Sequence, residues 1–155
     1  MPRQKPFSGA RDFDSQLRLA VYRHTIRTGR VPLVSEMARA FSFPVPKVRS
    51  ALARLSESHA FMLQENGELW RVAPFSAIST AFPVRIKKRS WWGNCIWDAL
   101  GIPAMLENDA KIDAACACCN YEMKLGVRRG KLLQNDGIIH IAVPARDWYK
   151  DVVFT

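Results

Sequence analysis

Apolar residues at three- and four-residue spacing predict three helices in the first third of the chain. The first helix begins at Asp12, and Gly29 is placed to end it. The second runs over Val34–Phe41, and a third begins near Pro46, because proline suits a first helical turn. The apolar positions expected to face inward are Phe13, Leu17, Ala20, Val21, Met37, Ala38, Val48, Ala51, Leu52 and Leu55.

Strand-like apolar runs follow these helices. Residues 61–64 and 69–72 are separated by Glu65-Asn66-Gly67-Glu68, which is a turn sequence, and therefore form a predicted hairpin. A further turn with a charge run is predicted at Lys87–Ser90. The other predicted strands cover 82–86, 111–115, 121–127, 137–143 and 151–155.

This order of elements predicts an α+β fold in two domains. Residues 1–11 are expected to form a flexible basic tail, and residues 12–75 a winged-helix-like domain of three helices and a hairpin. Residues 76–155 are expected to form a mixed, mainly antiparallel β domain with one short helix.

The chain carries a net charge of +9, and most of the excess lies in the first half. Residues 1–75 hold 12 Lys and Arg against 6 Asp and Glu, whereas residues 76–155 hold 11 against 8. If the helical module bound DNA, the third helix would be the recognition helix, with Lys47, Arg49 and Arg54 as its contacts. A basic helix face is more often simply solvated, so both interpretations stay open.

Composition restricts the class of protein. Hydrophobic residues make up 48% of the 155, which is enough for a buried core. No apolar run approaches membrane-spanning length, and no apolar segment follows the basic N-terminus as a secretory signal requires. Three of the four cysteines fall within four positions, a pattern typical of metal or redox chemistry in a reducing compartment. We therefore expect a cytoplasmic protein with no membrane partner.

A thiol and a carboxyl lie three residues apart in the stretch that begins at Trp92. If Asn94 caps a helix starting at Cys95, the free N–H groups of the first turn favour a thiolate there. Asp98 then lies one turn on, on the same face. On spacing alone, a buried core cysteine and a helix-start carboxylate are the more frequent roles. This helix is expected to bend or end at Gly101 and Pro103.

Cys116 and Cys119 have the C-x-x-C spacing of half a zinc site. A tetrahedral site needs two further ligands, and the three histidines His24, His59 and His140 do not repeat a ligand spacing. Structural zinc therefore stays open as the less favoured interpretation. A soft-metal or redox role for the cluster and plain core packing of Cys116 both remain open.

The stretch Cys95-Ile96-Trp97-Asp98-Ala99-Leu100-Gly101-Ile102-Pro103 resembles the active-site segment of the organomercurial lyase (alkylmercury lyase) family. Members share Cys-x-x-Asp followed by an apolar stretch and a proline. Pro74-Phe75-Ser76, Thr80 and Val84 before the segment, and Cys116-x-x-Cys119 after it, also resemble family features. The likeness is clearest over residues 74–145.

The resemblance implies protonolysis of a carbon–mercury bond. Cys95 would be the first thiolate for mercury and Asp98 the carrier of the proton, with Cys118 and Cys119 as further candidate sulfur ligands. The indoles of Trp92 and Trp97 would wall an apolar pocket, although core packing is the more frequent use of tryptophan. No cofactor is required: Hg(II) is part of the substrate and product, and cellular thiols are the expected partners.

The chain departs from the family pattern at its end. Members carry the second catalytic cysteine in a Phe-Cys-Cys stretch, and the corresponding register here ends at Val152-Val153-Phe154-Thr155. Thr155 would take the place of that cysteine, and we expect the natural protein to continue beyond it. The alternative function is a non-catalytic, metal-responsive winged-helix protein that binds DNA.

Overall fold

A computed structural model describes residues 9–116, 119–133, 137–141, 143–148 and 150. It contains four α-helices and eight strands in one sheet. The helices are α1 (Ala10–Thr28), α2 (Val34–Phe41), α3 (Val45–Glu57) and α4 (Ile96–Leu106). The strands are β1 (Met62–Leu63), β2 (Leu69–Val72), β3 (Phe75–Ser76), β4 (Pro83–Ile86), β5 (Arg89–Gly93), β6 (Ala110–Ala115), β7 (Glu122–Arg128) and β8 (Lys131–Leu132).

The first three helices form where the apolar spacing predicts them. Helix α1 ends at Gly29, whose φ of 83° is left-handed and whose N–H donates to the Thr25 carbonyl at 2.9 Å. Helix α2 has the predicted bounds, and Pro46 lies in the first turn of α3. Their buried residues pack together as one core: Phe13, Leu17, Val21, Val34, Met37, Ala38, Phe41, Val48, Ala51, Leu52 and Leu55.

All the strand pairs are antiparallel, in the order β1-β2-β3-β5-β4-β6-β7-β8. The mixed α+β class predicted from the sequence is therefore confirmed. The predicted domain boundary between residues 75 and 76 falls inside β3, which pairs with β2 on one side and β5 on the other. The hairpin that follows the three helices thus belongs to the same sheet as the second half of the chain.

Two contacts fix α1 against β5. The indole N–H of Trp91 donates to the Thr25 carbonyl at 2.8 Å, in a buried position near the end of α1. At Gly29, an added Cβ would lie 2.9 Å from the Ser90 carbonyl oxygen, so the helix end approaches the strand as closely as a glycine allows. The Phe75 ring, fully buried, lies between Tyr22 of α1 and Trp91.

The region around β5 and α4 differs from the prediction. Only two residues of the predicted turn Lys87–Ser90 form a turn, because Ile86 pairs directly with Arg89 and β5 begins there. Helix α4 continues through Gly101 and Pro103 to Leu106, so neither residue ends it. Pro103 has no backbone N–H to donate to the preceding helical turn. Because Ile102 and Pro103 are buried, the free energy of their packing outweighs the lost hydrogen bond.

The later strands are partly as predicted. Strands β6 and β7 match predicted runs within one residue at each end, and the two-residue strand β8 follows them without having been predicted. Residues 137–141 and 143 form no strand, so that prediction was wrong for them. The predicted strand over 151–155 lies outside the described residues. Among the helices that the structure describes, none is long and apolar enough to cross a membrane.

Gly93 ends β5 directly beneath the first turn of α4. An added Cβ would lie 2.7 Å from the Ala99 nitrogen, 3.0 Å from the Ala99 Cα and 3.1 Å from the Cys95 carbonyl oxygen. These are backbone atoms, which cannot rotate away as the end of a side chain can. Residue 93 must therefore be glycine for the helix to start where it does.

We expect Gly93→Ala to lower the free energy of unfolding by about 1–3 kcal/mol, as overpacking does elsewhere. Urea unfolding followed by circular dichroism measures it. Gly137→Ala is the matched control, because an added Cβ there meets no atom within 4 Å, and it should leave stability nearly unchanged. Equal stability of the two variants would show that α4 does not pack on Gly93 as described.

Candidate active site

Helix α4 begins one residue later than predicted, and Cys95 occupies its N-cap position. Cys95 has an extended backbone (φ −147°), and its carbonyl accepts the Ala99 N–H at 2.9 Å. Asn94 was expected to be the cap, but its side-chain amide is used elsewhere. It donates to the Phe75 carbonyl at 3.3 Å and to Oδ2 of Asp98 at 2.8 Å.

The Cys95 thiol is half-buried at the start of the helix. Burial raises its pKa above the ordinary value, and the nearby Asp98 carboxylate acts in the same direction. The backbone N–H groups of Asp98 and Trp97 face the sulfur and lower the pKa, although no side-chain hydrogen bond caps the helix. The net effect is a raised pKa, which opposes the thiolate expected at the helix N-terminus. Desolvation of the sulfur outweighs the stabilisation that these N–H groups give to the thiolate.

The Asp98 carboxyl lies in the first turn of α4 and is also half-buried. Burial raises its pKa, while the hydrogen bonds from Asn94 and the charge of Arg71 act to lower it. Arg71 comes from β2, next to the edge strand β1, so this side of the sheet contributes a positive charge to the site. The site therefore contains an acid and a thiol that both retain protons more strongly than exposed groups do.

The two predicted pocket tryptophans lie in different places. Gly93 faces α4, and because side chains alternate along a strand, Trp92 lies on the opposite face of the sheet. There it lines an open cavity of about 300 Å³ with Pro83, Asp113 and Met123 among its neighbours. Trp97 lies on α4 itself and is 60% exposed. Trp97 is thus on the helix that carries Asp98, and Trp92 belongs to a separate concavity.

Cys116 and Cys119 lie between the end of β6 and the start of β7. The Cys116 N–H donates to the Tyr121 carbonyl at 2.9 Å, and Cys119 is exposed in the turn. The preceding residue, Ala115, donates its N–H to the Ala81 carbonyl at 3.2 Å, beside Thr80, whose hydroxyl donates to the Gly93 carbonyl at 2.6 Å. The turn therefore lies at the same end of the sheet as Cys95.

Cys118 lies outside the described residues, so its position relative to Cys95 stays a prediction. In the part of the chain that the structure describes, no three side chains of His, Cys, Asp or Glu are close enough together to hold a metal ion. Cys119 is a free thiol.

The side chains of the three candidate DNA contacts each interact with another part of the protein. The Lys47 ammonium lies 3.5 Å from the centre of the Phe43 ring. Arg49 donates to the Asn66 carbonyl at 2.7 Å, in the turn of the β1–β2 hairpin. Arg54 forms a two-bond pair with the Asp14 carboxylate, at 2.8 and 2.6 Å. These contacts join α3 to its neighbours.

Comparison with known proteins identifies the family. A family profile described as alkylmercury lyase matches residues 75–155, which is just over half of the chain and includes Cys95 and Asp98. The chain belongs to the alkylmercury lyase family. The resemblance inferred from the Cys95–Pro103 segment is therefore confirmed.

The fold of this alkylmercury lyase family member also has a structural counterpart. The crystal structure of the mercury-bound form of MerB2 aligns with a TM-score of 0.59 and 19% sequence identity. The alignment covers 81% of this chain and 66% of that one, so this chain spans less than two thirds of its relative. No protein of curated function matches the sequence. At this identity the likeness shows a shared fold.

Sequence reasoning missed two residues of the site. Asn94 was assigned to the helix cap, although its spacing of four residues from Asp98 is the spacing at which side chains meet across one turn. Arg71 carried no local signal, because its proximity to Cys95 and Asp98 arises only when β2 and β3 join the sheet.

The raised pKa of Asp98 has a consequence for stability. A carboxyl whose pKa is higher in the folded than in the unfolded state stabilises the fold at low pH, and that contribution is lost as the pH rises through the folded-state pKa. Asp98→Asn removes the charge and keeps an oxygen that can accept from Asn94. We expect it to raise Tm at about pH 8 by roughly 2–4 °C, as about 1 kcal/mol would in a chain of this length.

The gain in Tm should vanish at about pH 3, where the carboxyl is protonated in both states. Thermal unfolding followed by circular dichroism at the two pH values measures the difference. Asp113→Asn is the control, because Asp113 is half-exposed and pairs with Arg85 at 3.6 Å, so its loss should bring no gain at pH 8. A lower Tm of Asp98→Asn than of the native chain at about pH 8 would contradict the assignment.

Proposed function

We propose that this protein cleaves the carbon–mercury bond of organomercurials by protonating the carbon, with the Cys95 thiol as the mercury ligand and the Asp98 carboxyl as the proton carrier. The observation that carries the proposal is the position of Cys95 at the N-cap of α4 and of Asp98 in its first turn, inside the region matched by the family. Both groups are half-buried, and both have a raised pKa.

In the first step, the sulfur of Cys95 bonds to the mercury of R–Hg–X. The S–H bond breaks, the proton passes to the ionised Asp98 carboxylate, and X⁻ leaves. Mercury(II) is a soft ion for which thiolate is the preferred ligand, so bonding to mercury releases the proton that burial otherwise keeps on the thiol. The raised pKa of Asp98 makes its carboxylate a suitable acceptor for that proton.

In the second step, the protonated Asp98 gives its proton to the carbon bonded to mercury. The electron pair of the carbon–mercury bond becomes the new carbon–hydrogen bond, and R–H leaves. Mercury remains Hg(II), so no oxidant or reductant is needed. A second thiolate on mercury donates electrons and makes the carbon more basic. A cellular thiol can supply it, and Cys118 and Cys119 are the chain's own candidates. Of these, Cys119 lies at the same end of the sheet as Cys95.

The organic group needs an apolar contact beside the thiol. Trp97 supports this role, because it is on the same helical turn as Asp98 and is exposed to an incoming ligand. Trp92 faces the other side of the sheet, where it would contact a ligand only in the separate cavity. We therefore assign the organic group to the side of the site on which Trp97 lies.

DNA binding has less support as an alternative. The three side chains that would contact DNA pair with Phe43, Asn66 and Asp14 within the protein. Using them on phosphate would require breaking those contacts.

The lyase function is tested by benzene release from phenylmercury with excess thiol, measured by gas chromatography. We expect Cys95→Ser and Asp98→Asn each to reduce the rate at least about 100-fold, because each removes a group that acts on the reacting atoms. Cys116→Ser is the matched control: it deletes a thiol at the same end of the sheet that the mechanism does not use, and the rate should stay near that of the native chain. No benzene from the native chain, or undiminished release by Cys95→Ser, would refute the proposal.

A further inference from the structure

The side-chain amide of Asn94 connects β3, the start of α4 and the Asp98 carboxyl. Its nitrogen, Nδ2, carries two hydrogens, and two acceptors face it: the Phe75 carbonyl at 3.3 Å and Oδ2 of Asp98 at 2.8 Å. The Phe75 carbonyl belongs to β3, which is paired on both edges. The two hydrogen bonds of the Asn94 amide therefore form a bridge from the sheet, at Phe75, to helix α4, at Asp98.

The two acceptors fix which way the amide points. The reverse orientation would set the amide oxygen against two other oxygens, and both hydrogen bonds would be lost. In the orientation observed, Oδ1 of Asn94 is buried and has no hydrogen-bond partner among the described residues. The amide thus keeps its donors on Phe75 and Asp98 even at the cost of a buried acceptor.

We propose that Asn94 is a positioning residue that holds Oδ2 of Asp98 as a hydrogen-bond acceptor, so that the transferable proton is carried by the other carboxyl oxygen, Oδ1. An amide N–H donates more strongly to an oxygen that bears no proton than to a carboxyl O–H oxygen. As long as the Phe75 carbonyl holds the amide in place, Oδ2 stays unprotonated and the carboxyl plane is fixed. The role in catalysis rests on the proposed lyase function, whereas the hydrogen bond and its effect on Asp98 do not.

The bridge also controls how readily Asp98 gives up its proton. Burial raises the pKa of this carboxyl, and the side-chain and backbone N–H groups of Asn94 oppose that rise, as does the charge of Arg71 from β2. Among the described residues, the other titratable groups that interact with Asp98 are Tyr22 of α1 and the Cys95 thiol. Without the side-chain amide of Asn94, the pKa of Asp98 would be higher. The carboxyl would then be ionised, and able to accept a proton from Cys95, only at a higher pH. Asn94 therefore keeps the carboxyl usable both as acceptor in the first step and as donor in the second.

The pKa of Asp98 tests the bridge directly, by ¹³C NMR titration of the carboxyl carbons in the whole chain. We expect Asn94→Ala to raise the midpoint of Asp98 by about one pH unit, because a hydrogen bond to the ionised form is lost. Asn108→Ala is the matched control. It removes an amide that donates to the Leu106 carbonyl at 2.6 Å at the other end of α4, and it should leave the midpoint in place.

A second measurement uses the native chain, so that it does not depend on the folding of a variant. The side-chain amide protons of Asn94 should shift with pH at the midpoint of Asp98, because they lie against the titrating group. An Asp98 midpoint unchanged in a folded Asn94→Ala, or Asn94 amide protons that do not follow the titration, would overturn the proposal.

The catalytic part of the proposal has a separate readout. With phenylmercury as substrate, Asn94→Ala should move the pH profile of kcat upward by the same amount as the Asp98 midpoint and leave KM nearly unchanged. A fall in kcat with an unshifted profile would contradict the positioning role. If the native chain releases no benzene, the lyase function fails, and the NMR titrations still decide whether Asn94 holds Asp98.

Discussion

The first turn of α4 lies directly on Gly93, and the candidate site depends on that contact. With 2.7 Å between an added Cβ and the Ala99 nitrogen, the strand leaves no room for a side chain beneath the helix. The chain therefore leaves β5, makes one tight connection through Asn94 and enters the helix at Cys95. The sheet position of Gly93 is set in turn by pairing with Phe75 of β3. The thiol and the carboxyl are thus placed by backbone packing rather than by a flexible loop.

Burial and hydrogen bonding compete at this site, and their balance suits proton transfer. Desolvation favours the neutral forms of Cys95 and Asp98, whereas nearby N–H groups and the charge of Arg71 favour the ionised forms. A carboxyl with no opposing donors would retain its proton, and a fully solvated one would lose it before it reached a carbon atom. The proposed transfer of one proton from sulfur to carboxyl and from carboxyl to carbon relies on this intermediate environment.

The sequence predicted the parts of this structure that depend on local pattern. The bounds of α2, the glycine end of α1 and the pair Cys95–Asp98 on one helical turn all follow from spacing and from the preferences of single residues. Features that depend on packing between distant parts of the chain could not be predicted from local spacing. Helix α4 continues past Pro103 because its face is buried, and Asn94 is drawn from the cap position by acceptors from β3 and from the helix.

The mercury position in crystals treated with one equivalent of phenylmercury tests the central claim, that Cys95 is the thiol that captures the metal beside Asp98. An anomalous difference map locates mercury without assumptions about chemistry. We expect a peak bonded to the Cys95 sulfur, with the neighbouring density toward Asp98 and Trp97. Mercury on the exposed Cys119 with Cys95 unoccupied would contradict it, because the most accessible thiol would then have captured the metal and the buried pair would have no part in it.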